Sequence, residues 1–123
     1  MSPQLPLSPH RSAGDLIFVS GQIGIEDDGA VPTDFRRQAE LATLALQAVL
    51  AEAGASLADV VKTTVFVTDQ AHVAPMNEVY AEHFSPPWPT RSTLVTGLAL
   101  PGLLFEIEAV AAAPRAGSAP RPA

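Results

Sequence analysis

The chain of 123 residues contains no cysteine. That removes disulfides, thiolate nucleophiles and thiolate metal ligands from consideration. Positive charge is also scarce, with seven Lys and Arg against 13 Asp and Glu and a net charge of −6. A surface that tracks phosphates needs the opposite balance, so a nucleic-acid partner is disfavoured. The apolar runs are short of the roughly 20 residues that cross a bilayer. The opening MSPQLPLSPHR lacks the apolar stretch of a secretory signal. The three histidines, His10, His72 and His83, have no metal-ligand spacing. These absences lead us to expect a soluble, cytoplasmic protein with no metal, membrane or nucleic-acid partner.

What is present reads as one globular domain. Apolar residues make up 47% of the chain and charged residues 16%. A chain this long buries roughly two thirds of its unfolded surface. So few charges on so small a domain also suggest that some surface is hidden in an oligomer. A strand is predicted over 16–20, with Gly21 as a bulge or close backbone approach. Phe35, Ala39, Ala42, Leu46, Val49 and Ala53 form one apolar stripe at helical spacing, with Thr33 as N-cap and Gly54 just past the C-terminus. VVKTTVFV (60–67) is a second strand, with Lys62, Thr64 and Phe66 on one face and Val61, Thr63, Val65 and Val67 on the other. A second helix starts near Val73 or Ala74, which places Pro75 in its first turn, and SPPWP (85–89) ends it. Two strands follow, 90–96 and 104–112, and a Pro/Ala-rich tail from Pro114 to Ala123 is expected to be disordered. The order implies an α+β sheet with both helices on one face and an oligomer covering the other.

Within PTRSTLV (89–95), Arg91 sits in a segment whose other residues ask to be buried. A guanidinium cannot be neutralised, so burial demands a carboxylate or an anionic ligand. The last strand, LLFEIEAVA, offers Glu106 and Glu108 on one face. If the last two strands form an antiparallel hairpin, either glutamate can face Arg91. One reading is a cross-strand salt bridge that neutralises itself. The other is that Arg91 binds a ligand carboxylate through its fork while a Glu handles a proton or a water.

SGQIG (20–24), VVKTTVFVTD (60–69), MNEVYAEHF (76–84), PTRSTLV (89–95) and FEIEAVA (105–111), in that order, resemble the Rid family of YjgF-type, RidA-like reactive-intermediate deaminases. The resemblance runs from about residue 14 to residue 112 and assigns residues 1–113 to one RidA-like domain. It implies a chorismate-mutase-like (YjgF-like) α+β fold and a homotrimer with a central β-barrel and clefts between subunits. It implies an enzyme that hydrolyses enamine and imine intermediates such as 2-aminoacrylate to 2-keto acids and ammonia, without metal or cofactor. Carried over by motif, Arg91 clamps the substrate carboxylate and Glu106 positions or activates the water. Ser20 and Gly21 bring backbone to the ligand, Asn77 lines the cleft, and Thr93 stands where relatives often have Cys, in a largely backbone role. Many relatives also carry a Tyr near the N-terminus. Here Leu7 or Ser8 falls nearest, and the only Tyr is Tyr80.

Three alternatives stand beside the deaminase. One is a carboxylate-binding trimer of the same family that does not turn over its ligand, which the missing Tyr favours. Another is a ribonuclease, which the acidic charge and the lack of a histidine acid–base pair disfavour. The third is catalysis on a different imine or acyl substrate. His10, His72 and His83, Lys62 and Trp88 read as surface, packing or subunit-contact residues.

Overall fold

The computed structural model describes residues 5–114. The tail expected to be disordered lies, from residue 115 onward, outside the described residues. The elements are β1 (His10–Ala13), β2 (Leu16–Gln22), α1 (Phe35–Glu52), β3 (Val60–Val67), α2 (Val73–His83), β4 (Thr90–Val95) and β5 (Phe105–Ala112). They form a mixed five-stranded sheet in the order β1-β2-β5-β3-β4, in which only β3 and β4 run parallel.

The expected hairpin between the last two strands is absent, because β3 lies between them. β3, α2 and β4 form a strand–helix–strand crossover, which returns the chain parallel to β3 at the sheet edge. β5 then pairs antiparallel with the other side of β3. Val67 at the end of β3 faces both Val95 and Phe105. The connection 96–104 therefore only has to step over one strand, about 10 Å at ordinary strand spacing. Its ends are tied to β3 by Thr96 N–H donating to Val67 O (2.9 Å) and Thr68 N–H donating to Leu104 O (3.3 Å).

β1 lies outside the strands predicted from sequence. It pairs with β2 through a two-residue loop, with Ala13 facing Leu16 and Gly14 at φ +58°. β2 extends past residue 20 to Gln22, and its register shifts between Val19 and Gln22, so the bulge expected at Gly21 is present.

α1 is capped one residue later than expected. Asp34, not Thr33, supplies the N-cap, its carboxylate accepting from Arg37 N–H at 2.9 Å. At the other end Gly54 takes φ +80°, Gly54 N–H donates to Ala51 O and Ala55 N–H to Leu50 O. This doubly bonded C-terminal turn favours glycine. α2 begins at Val73, after a 3-10 turn at Gln70–His72, with Pro75 in its first turn.

Both helices pack on one face of the sheet. Ile17, Val19, Val65, Val67, Phe105, Ile107, Ala109 and Ala111 are buried beneath Ala39, Ala42, Leu46 and Leu50 of α1 and Met76 and Val79 of α2. Leu50 takes the deep position at the end of the α1 stripe, while Val49 and Ala53 pack at its margin. Val61 does not join its expected face: a register shift between Val60 and Lys62 leaves it exposed. The opposite sheet face carries Leu16, Phe18, Phe66, Leu94 and Val110 beside Lys62, Thr64, Glu106 and Glu108, by alternation and register.

Gln38 is fully buried on α1 and spends its amide on loops. Its Nε2 donates to Pro32 O (2.8 Å) and Gly102 O (2.9 Å), and its Oε1 accepts from Leu104 N–H (2.8 Å). Replacing it removes three hydrogen bonds to partly buried or exposed loop backbone, each contributing about 0.5–1.5 kcal/mol. Gln38→Leu is expected to lower unfolding free energy by at least about 2 kcal/mol in urea titrations; an unchanged midpoint would show that water replaces these bonds.

Candidate functional site

The edge strand β4 is exposed along its whole length, so Arg91 is not buried as its apolar neighbours suggested. Nor does it meet either glutamate. Arg91 is the register partner of Thr63, whose side chain is buried on the helix side. Its guanidinium accordingly turns toward α2, where Nη2 donates to Asn77 Oδ1 at 2.8 Å and Nη1 approaches Met76 Sδ at 3.8 Å. The guanidinium carbon stands 4.9 Å from the centre of the Tyr80 ring. Among the described residues, no carboxylate comes within ion-pair reach of Arg91.

The groups that hold this cation are therefore neutral. Asn77 and Tyr80 lie three residues apart on one helix face. The Tyr80 hydroxyl is turned inward to Thr63 Oγ1 at 2.9 Å, and burial raises its pKa above the ordinary value. It presents Arg91 with a ring face and no charge. Trp88, Pro89 and Ala81 complete the walls of an open cleft of about 390 Å³ over the guanidinium. Thr93 lies two residues further along β4, on the same side as Arg91.

Glu106 belongs to the other sheet face. Its neighbours Phe105 and Ile107 are buried toward the helices, and its register partner is Phe66. Gly21 lies against it: a Cβ there would stand 2.1 Å from Glu106 Oε2, so the carboxylate occupies the space that any other residue would fill. Partial burial raises the Glu106 pKa, and the negative charge of Glu108 adds to the rise. Ser20 is engaged beside it, its hydroxyl donating to Ser8 O (2.5 Å) and its N–H to Pro9 O (2.9 Å). A wide depression of about 550 Å³ on this face is lined by Leu7, Ser8, Arg11, Phe18, Ser20 and Glu108, among others.

The structure thus gathers the expected residues into two half-sites on opposite faces of one sheet. Arg91, Asn77 and Thr93 make one; Glu106, Ser20 and Gly21 make the other. The first also contains Tyr80 and Met76, to which the sequence reading gave no part in the site, and Trp88, which it read as packing or a subunit contact. The spacing of Tyr80 from Asn77 was the available signal, since residues three apart share a helix face. No group of three or more metal-ligating side chains converges among the described residues. None of the helices is long and apolar enough to cross a membrane.

Comparison with known proteins adds what one chain does not contain. The family model described as Endoribonuclease L-PSP matches residues 1–113. A RutC family protein of Pyrococcus abyssi is 40% identical over 111 residues, covering 86% of this chain and 87% of the relative. TdcF of Escherichia coli, provisionally named a reactive intermediate deaminase, is 37% identical over 102 residues, covering 80% of this chain and 79% of TdcF. The crystal structure of TdcF with bound serine superposes with a TM-score of 0.80 at 35% identity, covering 89% of this chain and 90% of that one. The family model, the sequence relatives and the superposed structure each cover about four fifths of the chain or more, and the protein belongs to the YjgF/RutC/Rid family.

Proposed function

We propose that the protein is a hydrolase of reactive 2-imino acids and their enamines, of the 2-aminoacrylate type, releasing 2-keto acids and ammonia. Arg91 grips the substrate carboxylate through its fork, with Asn77 and Thr93 alongside. Glu106, set against Ser20 and Gly21, positions the water. The site is completed between copies of the chain in a homotrimer whose sheets face one another, and neither a metal nor an organic cofactor takes part. The observation that carries this reading is a permanent cation oriented only by neutral groups, Asn77 and the Tyr80 ring, at the floor of an open cleft. A cation held in this way is prepared for an anion from outside.

The need for a second copy follows from the two half-sites. Arg91 and Glu106 project from opposite sheet faces, so a single chain does not bring both to one small molecule. The face bearing Glu106 also exposes Leu16 at 39%, Phe18 at 46% and Leu94 at 43%, a set of apolar side chains suited to an interface.

In the proposed reaction the enamine first tautomerises to the imine. Water held by Glu106 then adds its oxygen to the imine carbon, and its proton passes to the carboxylate. The nitrogen takes this proton from the carboxylic acid to give the carbinolamine. The carboxylate then takes the hydroxyl proton and passes it to the nitrogen, which leaves as ammonia as the C–N bond breaks and the hydroxyl oxygen becomes the ketone. A carboxyl with a raised pKa suits both halves, because proton transfer is most effective near the working pH. Positioning and acid–base help of about 10² to 10⁴ suffice for an imine that hydrolyses readily in water.

The same cleft used for binding without turnover is a second reading, favoured by Leu7 and Ser8 where relatives carry Tyr. The experiment separates the two. A pyridoxal-phosphate dehydratase generates the imine and semicarbazide traps it. Wild type is expected to suppress semicarbazone formation, with Arg91→Ala and Arg91→Lys at least about 10²-fold weaker, since each hydrogen bond to a charged group contributes about 1.5–3 kcal/mol. Full activity of Arg91→Ala would refute the clamp. Inactive wild type that binds a keto acid would leave the binding reading.

The direction of the Glu106 shift sets the pH dependence. The ionised form positions water, so kcat/KM is expected to fall on the acid side with a midpoint above the ordinary glutamate value. Glu108→Gln removes a like charge, lowers the Glu106 pKa and moves that limb to lower pH. A limb that stays put, or one that survives Glu106→Gln, would assign the titration to another group. For stability the sign is opposite to that of a salt-bridged acid. A folded pKa above the unfolded one means this group's ionisation opposes folding as pH rises through the two values.

A further inference from the structure

The clamp reading fixes where the carboxylate of a substrate lies and leaves open what its side chain touches. Of the six residues lining the cleft over Arg91, Arg91 and Asn77 carry the strongly polar side chains, and the Tyr80 hydroxyl is bonded to Thr63 in the core. The remainder is ring and aliphatic surface: the Tyr80 ring, Ala81, the Trp88 indole and Pro89. Trp88 is the only tryptophan in the chain, and in the folded protein it remains 52% exposed. Its ring neither lies in the core cluster nor makes a ring–ring contact. Pro86 and Pro87 before it and Pro89 after it fix φ on both sides, so the indole is carried on a stiff segment.

The part of the cleft that one chain supplies is already about 390 Å³, and clefts of about 300–1,000 Å³ hold ligands bigger than a three-carbon acid. A methyl or hydroxymethyl side chain leaves the indole wet. An aryl side chain covers it, and ring faces and edges stack favourably at centroid separations of about 4.5–7 Å.

We propose that Trp88 is the specificity wall of this cleft and selects 2-imino acids with aromatic side chains, whose ring lies on the indole while the carboxylate is held by Arg91. This rests on the reading of Arg91 as the carboxylate clamp. Substrates of this class come from enzymes that oxidise or dehydrogenate aromatic amino acids at the α-carbon.

The test uses stable keto-acid products as probes. Phenylpyruvate and pyruvate are titrated into the full-length protein by calorimetry, with the intrinsic fluorescence of the single tryptophan followed in parallel. Wild type is expected to bind phenylpyruvate at least about tenfold more tightly than pyruvate, with a saturable change in indole emission. Trp88→Ala is expected to reduce that preference to within about threefold, Trp88→Phe to keep most of it, and Arg91→Ala to weaken both ligands together. The half-exposed ring is not part of the core, so these variants are expected to fold, which circular dichroism checks. Equal wild-type affinities that depend on Arg91, or a preference that survives Trp88→Ala, would overturn the role of Trp88 and leave the proposed function standing. Failure of wild type to bind either acid would overturn both.

Discussion

The alternation of side chains along paired strands separates the two charged groups that the proposed chemistry needs. Thr63 faces the helices and takes its register partner Arg91 to that side. Phe66, three residues on, faces away and takes Glu106 with it. No rotamer change reverses this, since facing is set by the backbone and a one-residue slip would expose the whole core set of β5. On the proposed chemistry each chain then holds two incomplete sites, a cation without an anion and an acid without an electrophile. Assembly of copies is consequently a chemical requirement of the proposed function as well as a cover for apolar surface.

Each half-site is stiffened by the element that carries it. Arg91 has neutral supports from α2, and Tyr80 ties that helix to β3 through a buried hydroxyl pair. α2 is in turn held to α1 by Arg36, which bridges Glu78 (2.9 Å) and Glu82 (3.0 Å). These pairs are exposed and contribute modestly. Most of the rigidity comes from Met76 and Val79, each fully buried. On the other face, the bulge in β2 brings Gly21 against Glu106, so that a side chain there would have to displace the carboxylate from the place it holds. Partial burial of the carboxylate is the main reason its pKa rises.

Much of this was legible in the sequence. The α1 stripe, the bulge at Gly21, Pro75 in the first turn of α2 and the two-faced pattern of β3 from Lys62 to Val67 each follow from local spacing, while the shift that exposes Val61 does not. β1 went unread because prolines dominate the first residues, although Gly14-Asp15 is a two-residue hairpin loop of a recognisable kind. The larger error concerned long-range pairing. A Gly/Pro loop between two strands suggested a hairpin, and the Arg91–Glu106 or Arg91–Glu108 pair followed from it. Composition of the loop does not tell a tight turn from a step over an intervening strand. The crossover through α2 decides the matter, since it delivers β4 parallel to β3 and leaves the other side of β3 for β5. The motifs named candidate residues, but their distribution over two faces depended on sheet order, which local pattern does not encode.

The central claim is that a working site takes Arg91 from one copy and Glu106 from another. Complementation between inactive chains tests it most directly. Arg91→Ala and Glu106→Gln chains, differently tagged, are co-expressed, and the mixed oligomers are isolated and assayed for imine hydrolysis. In a ring of randomly mixed copies, each cleft draws one half-site from each neighbour. Every mixed trimer then holds one cleft in about three with both wild-type groups, and activity should return to about one third of wild type. If the mixed oligomers are as inactive as either parent, both groups act from the same chain and the account is wrong.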